Sequence, residues 1–306
     1  MLGSKLTELK RCIERFTGRD GVHRTAIAPL SLSRASAPSQ PVQTIHEPAL
    51  GILAQGSTRV MLADEVYRYD AAHFVLASVD LPVTSQVIEA SPDSPYLALR
   101  IALDPGQVGE VILAAGPCDT PGRPQRGLAV SRVEPPLLDA AVRLLLLLDS
   151  PRDIGVLAPL VLREITYRLL VGEQGPRLRQ IAAANGLTRR VAAATNWLKH
   201  NFAQAFSIEA LAREVGISPS ALQHHFKAVT AMSPLQYQKR LRLQEARRLM
   251  WSEGVDAASA GFRVGYQSPS QFSREYRRLF GQPPQRDLAL LRTASQPVQG
   301  ERRAVT

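Results

Sequence analysis

The spacing of apolar positions changes character along the chain. Leu6, Leu9, Ile13 and Phe16 recur every three or four residues, which predicts an amphipathic surface helix at the start. The stretch at 28–41, "APLSLSRASAPSQP", loses that period and is rich in Ser and Pro, so it reads as a connector. Residues 42–103 then alternate short β-branched and aromatic runs with Gly, Asp and Pro turns. That spacing predicts an antiparallel barrel or sandwich.

Helical spacing returns at residue 104. "DPGQVGEVILAA" offers Asp104 as cap and Pro105 as first helical residue. After a loop rich in Gly and Pro (116–127), "LLDAAVRLLLLL" and "PLVLREITYRLL" predict a helical hairpin joined through "DSPRDIG". Pro159 is expected in the first turn of the second helix, because an interior proline costs a hydrogen bond. Ile154, Leu157, Val161, Ile165 and Leu169 fall on one stripe, which predicts either self-association into a homodimer or packing beneath the barrel. The last third reads as about seven short helices. The tail after Leu291 is polar.

Two segments of that last third repeat one design. In the first, Ser207 precedes a helix with Ile208, Leu211, Ala212 and Val215 on one face, and Gly216 ends it. Ser218 and Pro219 open a second helix, where Leu222, Phe226 and Val229 form the apolar stripe. In the second segment, Asp256 precedes Ala257, Ala260, Gly261 and Val264, and Gly265 makes the turn. Ser268 and Pro269 then open a helix striped by Phe272, Tyr276 and Leu279. The copies are offset by 49 residues before the turn and 50 after it.

A short helix, a glycine turn and a second helix, with small Ala212 and Gly261 at the crossings, predict two helix-turn-helix units. The outward faces carry Ser220, Gln223, His224 and Lys227 in one copy, and Ser270, Ser273, Arg274 and Arg277 in the other. Side chains of these types reach base edges in a major groove, and nearby cations neutralise phosphate. His225, beside His224, is expected to pack inward. A long helix opening at Ser233 and Pro234 joins the copies. Its Leu235, Leu241, Leu249 and Met250 are expected to face them, and Arg240 and Arg242 to meet phosphate. The two second helices are expected to read successive major-groove segments about one helical turn apart.

Charge sharpens this reading. The net charge is +10, but residues 177–292 hold 18 Lys and Arg against 7 Asp and Glu. The rest of the chain holds 19 bases and 20 acids. All the positive excess therefore lies where the repeat lies, as a double-stranded DNA partner requires. Two cysteines, Cys12 and Cys118, exclude a disulfide framework and suit a reducing cytoplasm. Cys118 reads as an idle cysteine rather than a reactive thiol. The longest apolar run, Leu144–Leu148, is far too short to cross a bilayer, so no membrane partner is expected.

Residues 188–292 resemble the AraC family of bacterial transcription regulators, most plainly in "VGYQSPSQFSREYRRLFGQPP". That resemblance implies a seven-helix DNA-binding domain. Asp287-Leu288 stand where the family often has Tyr-Arg, so that helix end is expected to be less regular. "HEPALGILAQGSTRVMLADEVYRYD", "SVDLPV" and "DIGVLAPLVLREITYRLLVGEQGPRLRQIA" resemble the N-terminal domain of one branch of these regulators. They imply a cupin-like barrel.

The expected fold is α+β. A cupin-like sensing domain spans 1–125 and a helical hairpin spans 126–175. An all-α domain with two helix-turn-helix units spans 176–292, and a tail follows at 293–306. The expected function is sequence-specific regulation of transcription, responsive to a small-molecule effector, with RNA polymerase as a further partner if the outcome is activation. The alternative is a DNA-binding module fused to a catalytic, metal-dependent cupin. His46 and His73 are the barrel histidines, but no His-x-His pair or nearby Glu completes a metal cluster, so no metal, cofactor or enzyme activity is expected.

Overall fold

The computed structural model describes residues 2–116, 125–182 and 187–295. The chain divides into two compact units, residues 1–197 with 207–234, and residues 198–206 with 235–306. The first helix-turn-helix thus packs in one unit with the strand-rich half, rather than separating from it at residue 176.

The first unit opens with α1 (Leu2–Phe16) and continues through nine strands: β1 (Gly21–Arg24), β2 (Leu30–Ala35), β3 (Val42–His46), β4 (Ala49–Gln55), β5 (Ser57–Leu62), β6 (Glu65–Asp70), β7 (His73–Ala77), β8 (Leu81–Glu89) and β9 (Tyr96–Ala102). Next come α2 (Pro105–Ala115), β10 (Leu128–Arg132), α3 (Pro135–Leu146), a 3-10 turn at Leu147–Asp149, α4 (Pro151–Val171) and α5 (Gly175–Ala182). The stretch read as a connector carries β2, whose Leu30 and Leu32 are buried. Its Ser-rich sequence hides a strand because Ser31 and Ser33 alternate with those leucines.

The strands form two antiparallel sheets, in the orders β1-β2-β9-β4-β7-β10 and β3-β8-β5-β6. The cupin-like sheets are therefore present, but among the described residues no ladder closes them into one barrel. The chain switches sheets at Gly56, which has φ +84°, and where the registers slip beside Leu53 and Ser57. A Cβ at Gly56 would lie 2.6 Å from the Glu89 carbonyl oxygen, so the corner admits only glycine.

Each face of the six-stranded sheet has its own task. Leu30, Leu32, Leu50, Ile52, Leu76, Leu97, Leu99 and Ile101 form the main core with Leu9 and Ile13 of α1, Leu138 and Leu145 of α3, and Val161, Ile165 and Leu169 of α4. Burial of side chains this size stabilises by about 1.5–3 kcal/mol each. The alternate residues face the other sheet and line a cavity.

Helix α4 departs from expectation at its start. It starts at Pro151, so Pro159 is interior. The missing N–H leaves the Gly155 carbonyl without its helical donor, but both residues are exposed, so the cost of the interior proline is reduced. Of the two roles open to its stripe, most of it takes the inward one, with Val161, Ile165 and Leu169 all buried. The apolar residues that α4 exposes are Val156, Leu157, Leu160, Tyr167 and Val171.

Seven helices follow among the described residues: α6 (Leu187–Asn201), α7 (Ile208–Glu214), α8 (Pro219–Thr230), α9 (Pro234–Ser252), α10 (Ala257–Arg263), α11 (Pro269–Phe280) and α12 (Pro284–Ser295). Leu241, Leu249 and Met250 of α9 are buried, but Leu235 is exposed. Tyr237, fully buried, is the large core residue that spacing overlooked. Helix α12 runs regularly through Asp287 and Leu288, where irregularity was expected.

Candidate nucleic-acid interface and effector cavity

Both helix-turn-helix units are built by the same local chemistry. The Ser207 hydroxyl accepts from the Ala210 amide at 3.1 Å and caps α7. Gly216 turns at φ +68°, and Arg190 donates to its carbonyl at 2.7 Å. The Ser218 hydroxyl then accepts from the Ala221 amide at 3.2 Å, with Pro219 first in α8. Leu222, Phe226 and Val229 are fully buried, while Ser220, Gln223, His224 and Lys227 are exposed. His225 is half-buried against the edge of the His224 ring, and burial pushes its pKa down.

In the second copy the Asp256 carboxylate accepts from the Ala258 and Ser259 amides, each at 3.0 Å. Bonds from Ser259 foremost hold that carboxyl below its ordinary pKa. Gly265 turns at φ +91°, and Ser268 caps α11 through the Gln271 amide at 3.4 Å. A Cβ on Gly261 would stand 3.0 Å from the Phe272 ring, so a small residue sets the crossing of α10 and α11. Phe272 and Tyr276 are fully buried, while Ser270, Ser273, Arg274 and Arg277 are exposed. All eight outward candidates thus lie on exposed faces of their helices.

The two arginines chosen for phosphate differ from that pattern. Arg240 is half-buried. The Arg242 guanidinium is turned into its own unit, donating to the carbonyls of Phe202 at 2.7 Å, Gly265 at 3.0 Å, Gln204 at 3.1 Å and Ala203 at 3.3 Å. It also lies over the Tyr266 ring. A fork that satisfies four carbonyls is not available to a phosphate, so its task is to hold the turn. Nothing in the spacing of α9 separates Arg242 from its neighbours, because its partners come from distant loops.

A cavity of about 500 Å³ lies in the strand-rich half, lined by residues of both sheets. Its walls include Leu53, Val60, Val75, Val87 and Ala98. Its polar lining includes Thr58, Ser85, Tyr69, Tyr96 and His46. The His46 ring bonds Ser85 Oγ at 3.1 Å, and burial, helped by Arg100, lowers its pKa to about 4, so it is neutral. Burial raises the Tyr96 phenol to about 12 and the Tyr69 phenol well above its usual value. The charged wall residues are Glu47 and Arg100, which pair at 3.8 Å and are both partly exposed. Of the aromatic residues in these strands, Tyr69 and Tyr96 line the cavity, Phe74 joins the core, and Tyr67 bonds Glu65. His46 enters as a neutral wall residue, a role that a search for metal ligands passes over.

His73 is separately engaged with Asp70 at 2.7 Å. Among the described residues there is no group of three or more His, Cys, Asp or Glu side chains placed to hold a metal. No helix among them is long and apolar enough to cross a membrane. Cys12 is buried on the inner face of α1, and Cys118 lies outside the described residues.

Residues 26–177 match the family described as AraC-type transcriptional regulator N-terminus, and residues 211–289 match a helix-turn-helix domain family. Among similar proteins, the HTH-type transcriptional activator RhaS of Salmonella agona is 32% identical over 158 residues, covering 50% of this chain and 55% of that one. RhaS of Escherichia fergusonii is 35% identical over 88 residues, covering 29% of this chain and 32% of that one. The chain therefore spans about half or less of the length of these relatives. Among solved structures, ToxT of Vibrio cholerae O395 superposes with a TM-score of 0.51 at 11% identity, covering 86% of this chain and 97% of that one. ToxT with a bound unsaturated fatty acid superposes at 0.52 and 10% identity, covering 88% and 97%. These two show the fold. With a family N-terminal domain followed by a helix-turn-helix domain, the chain belongs to the AraC family of transcription regulators.

Proposed function

We propose that this protein is a sequence-specific regulator of transcription that binds double-stranded DNA and answers to a small molecule held in the N-terminal cavity. The observation that carries the reading is the doubled reader. Two serine-capped helices each set polar and cationic side chains outward over a buried apolar stripe whose leading residues, Leu222 and Phe226 in one and Phe272 and Tyr276 in the other, are fully buried. Ser220, Gln223 and His224 of α8 and Ser270, Ser273 and Arg274 of α11 contact bases. Lys227, Arg277 and Arg240 contact the DNA backbone.

Arg274 gives the sharpest test. Its fork bonds one guanine at two points, a contact worth about 1–3 kcal/mol of discrimination. Arg274→Ala is expected to weaken binding to a duplex selected with the purified protein and to relax preference at one base pair. Affinities for the selected duplex, its single-base variants and random DNA read this out. An equal loss on every duplex, with a shallower salt dependence, would mean a phosphate contact instead.

The cavity favours an uncharged, largely apolar effector bearing hydroxyl or carbonyl groups. Its interior offers phenols, a neutral imidazole and hydroxyls, and a buried unpaired charge would cost several kcal/mol. Whatever binds there must shift DNA affinity by the same factor that DNA shifts its own. A cavity ligand that leaves DNA affinity and transcription unchanged would remove the sensing role.

Self-association is proposed through the exposed α4 face formed by Val156, Leu160, Tyr167 and Val171, which replaces the stripe read from sequence. Sedimentation of the chain as a dimer at micromolar concentration, and of Val156→Glu/Leu160→Glu as a monomer, is expected. Activation, the outcome named for RhaS, adds RNA polymerase as a partner.

A further inference from the structure

One face of one strand joins the cavity wall to the first reader helix. Along β6 the side chains alternate, so Glu65, Tyr67 and Tyr69 share a side. Tyr69 forms part of the cavity wall. The Tyr67 hydroxyl donates to Glu65 Oε2 at 2.7 Å. The Glu65 carboxylate in turn takes both Nε and Nη2 of Arg126, the first at 2.9 Å. Arg126 Nη1 then donates to the carbonyls of Lys227, at 2.9 Å, and Ala228, in the last turn of α8.

The neighbouring backbone makes the same junction. The Gly127 amide donates to the Val229 carbonyl at 2.8 Å, and the Gly127 carbonyl accepts from the Ser78 amide at 2.8 Å. A Cβ at Gly127 would come within 2.9 Å of Val79 and 3.3 Å of Val229, so the two segments touch through backbone. Arg177 donates to the Arg126 carbonyl at 2.6 Å and holds it from the other side. The carbonyls at a helix C-terminus lack partners within the helix and carry its negative dipole end. Here those of Ala228 and Val229 are met by Arg126 and Gly127, within one compact unit.

We infer that Arg126 is a positioning residue for DNA reading, holding α8 to β6 so that the wall of the cavity and the direction of the first reader move together. The inference rests on the reading of α8 as a base-contacting helix and of the cavity as the effector site. Glu65 orients the guanidinium, and Tyr69 is where a cavity occupant meets the same strand. Arg126 touches no base itself. Its loss therefore changes what α8 reads, leaving what α11 reads unchanged.

The test uses the full-length protein and a duplex selected with it. Gln223→Ala first maps the base pairs read by α8, and Arg274→Ala those read by α11. Arg126→Ala is then expected to change preference about tenfold at the Gln223-dependent pairs alone, the scale of a lost charged hydrogen bond. Glu65→Gln combined with Arg126→Ala should add nothing to Arg126→Ala. Arg126→Lys, which keeps the charge and one donor, should restore part of the effect. A purely structural role would lower the thermal midpoint and weaken every base pair alike, and that result overturns the inference, as does no change at all.

The link to the cavity has its own arm. Ala98→Leu and Ala77→Leu each fill the cavity from the six-stranded sheet. Either should shift affinity for the selected duplex in the otherwise unchanged protein and not in the Arg126→Ala background. Equal shifts in both backgrounds break the link. If Gln223→Ala alters no base preference, α8 is not a reader, and the inference falls with that reading.

Discussion

Asp287→Ala is expected to cost the second helix-turn-helix about 3–5 kcal/mol, the scale of breaking a buried ion pair from one side. Asp287 is 6% exposed. Arg247 reaches it with Nε and Nη2, both at 2.8 Å, and the Tyr276 hydroxyl donates to the same carboxylate at 2.7 Å. Removing the carboxylate strands a guanidinium and a phenol in a core made by Met250, Val264, Phe272 and Tyr276. Arg247 also lies 4.6 Å from the centroid of the Phe280 ring, so its displacement disturbs the end of α11 as well. Urea unfolding followed by helix signal measures the loss. Asp287→Asn, which keeps the shape and one acceptor for Tyr276, should lose less than Asp287→Ala. Equal losses would mean that the charge contributes nothing.

The same residue shows where sequence reasoning reaches and where it stops. Asp287 was expected to loosen the last helix, because it departs from the family pattern. It instead anchors α12, since its partners lie 40 and 11 positions away, and its charge suits the first turn of a helix. Local chemistry was legible at the helix starts and turns of the repeated design. Ser207, Ser218, Asp256 and Ser268 cap the helices that their spacing announced, and Gly216 and Gly265 take the positive φ that the turns need. The period of Leu222, Phe226, Phe272 and Tyr276 correctly gave the buried faces of both readers.

What stayed hidden depends on pairing across long distances. The apolar residues of α4 fit more than one face, and only the packed core decides that Ile165 goes in and Leu160 stays out. Strand segments announce themselves, but the sheet that each joins is set at corners such as Gly56, so two sheets and a closed barrel read alike. The cavity wall was not legible, because nothing local separates Tyr69 and Tyr96, which line it, from Phe74, which went to the core. Glu65 and Arg126 are 61 residues apart, and no periodicity connects them.

Arg242→Ala is expected to destabilise the second unit by about 2–3 kcal/mol before any DNA is present. The guanidinium holds together two segments that are distant in sequence, the loop at 202–204 and the turn at Gly265. They approach so closely that a Cβ on Gly265 would meet the Ala203 carbonyl oxygen at 2.1 Å. Burial pushes the Arg242 pKa down, with Tyr266 and Glu275 opposing, so the group is partly withdrawn from water. Its loss leaves inward-facing carbonyls short of donors, each such deficit costing about 1–3 kcal/mol when water cannot reach it. Partial exposure of the site keeps the total near the cost of one or two. Arg242→Lys is not expected to rescue it, because one ammonium cannot reproduce the fork. A phosphate contact predicts the opposite pair of results. Stability without DNA would be unchanged, and the slope of log affinity against log salt would fall by about 1. Unfolding of the free variant, set beside its salt dependence on random duplex, separates the two, and an unaltered unfolding midpoint would return Arg242 to the phosphate-contacting set.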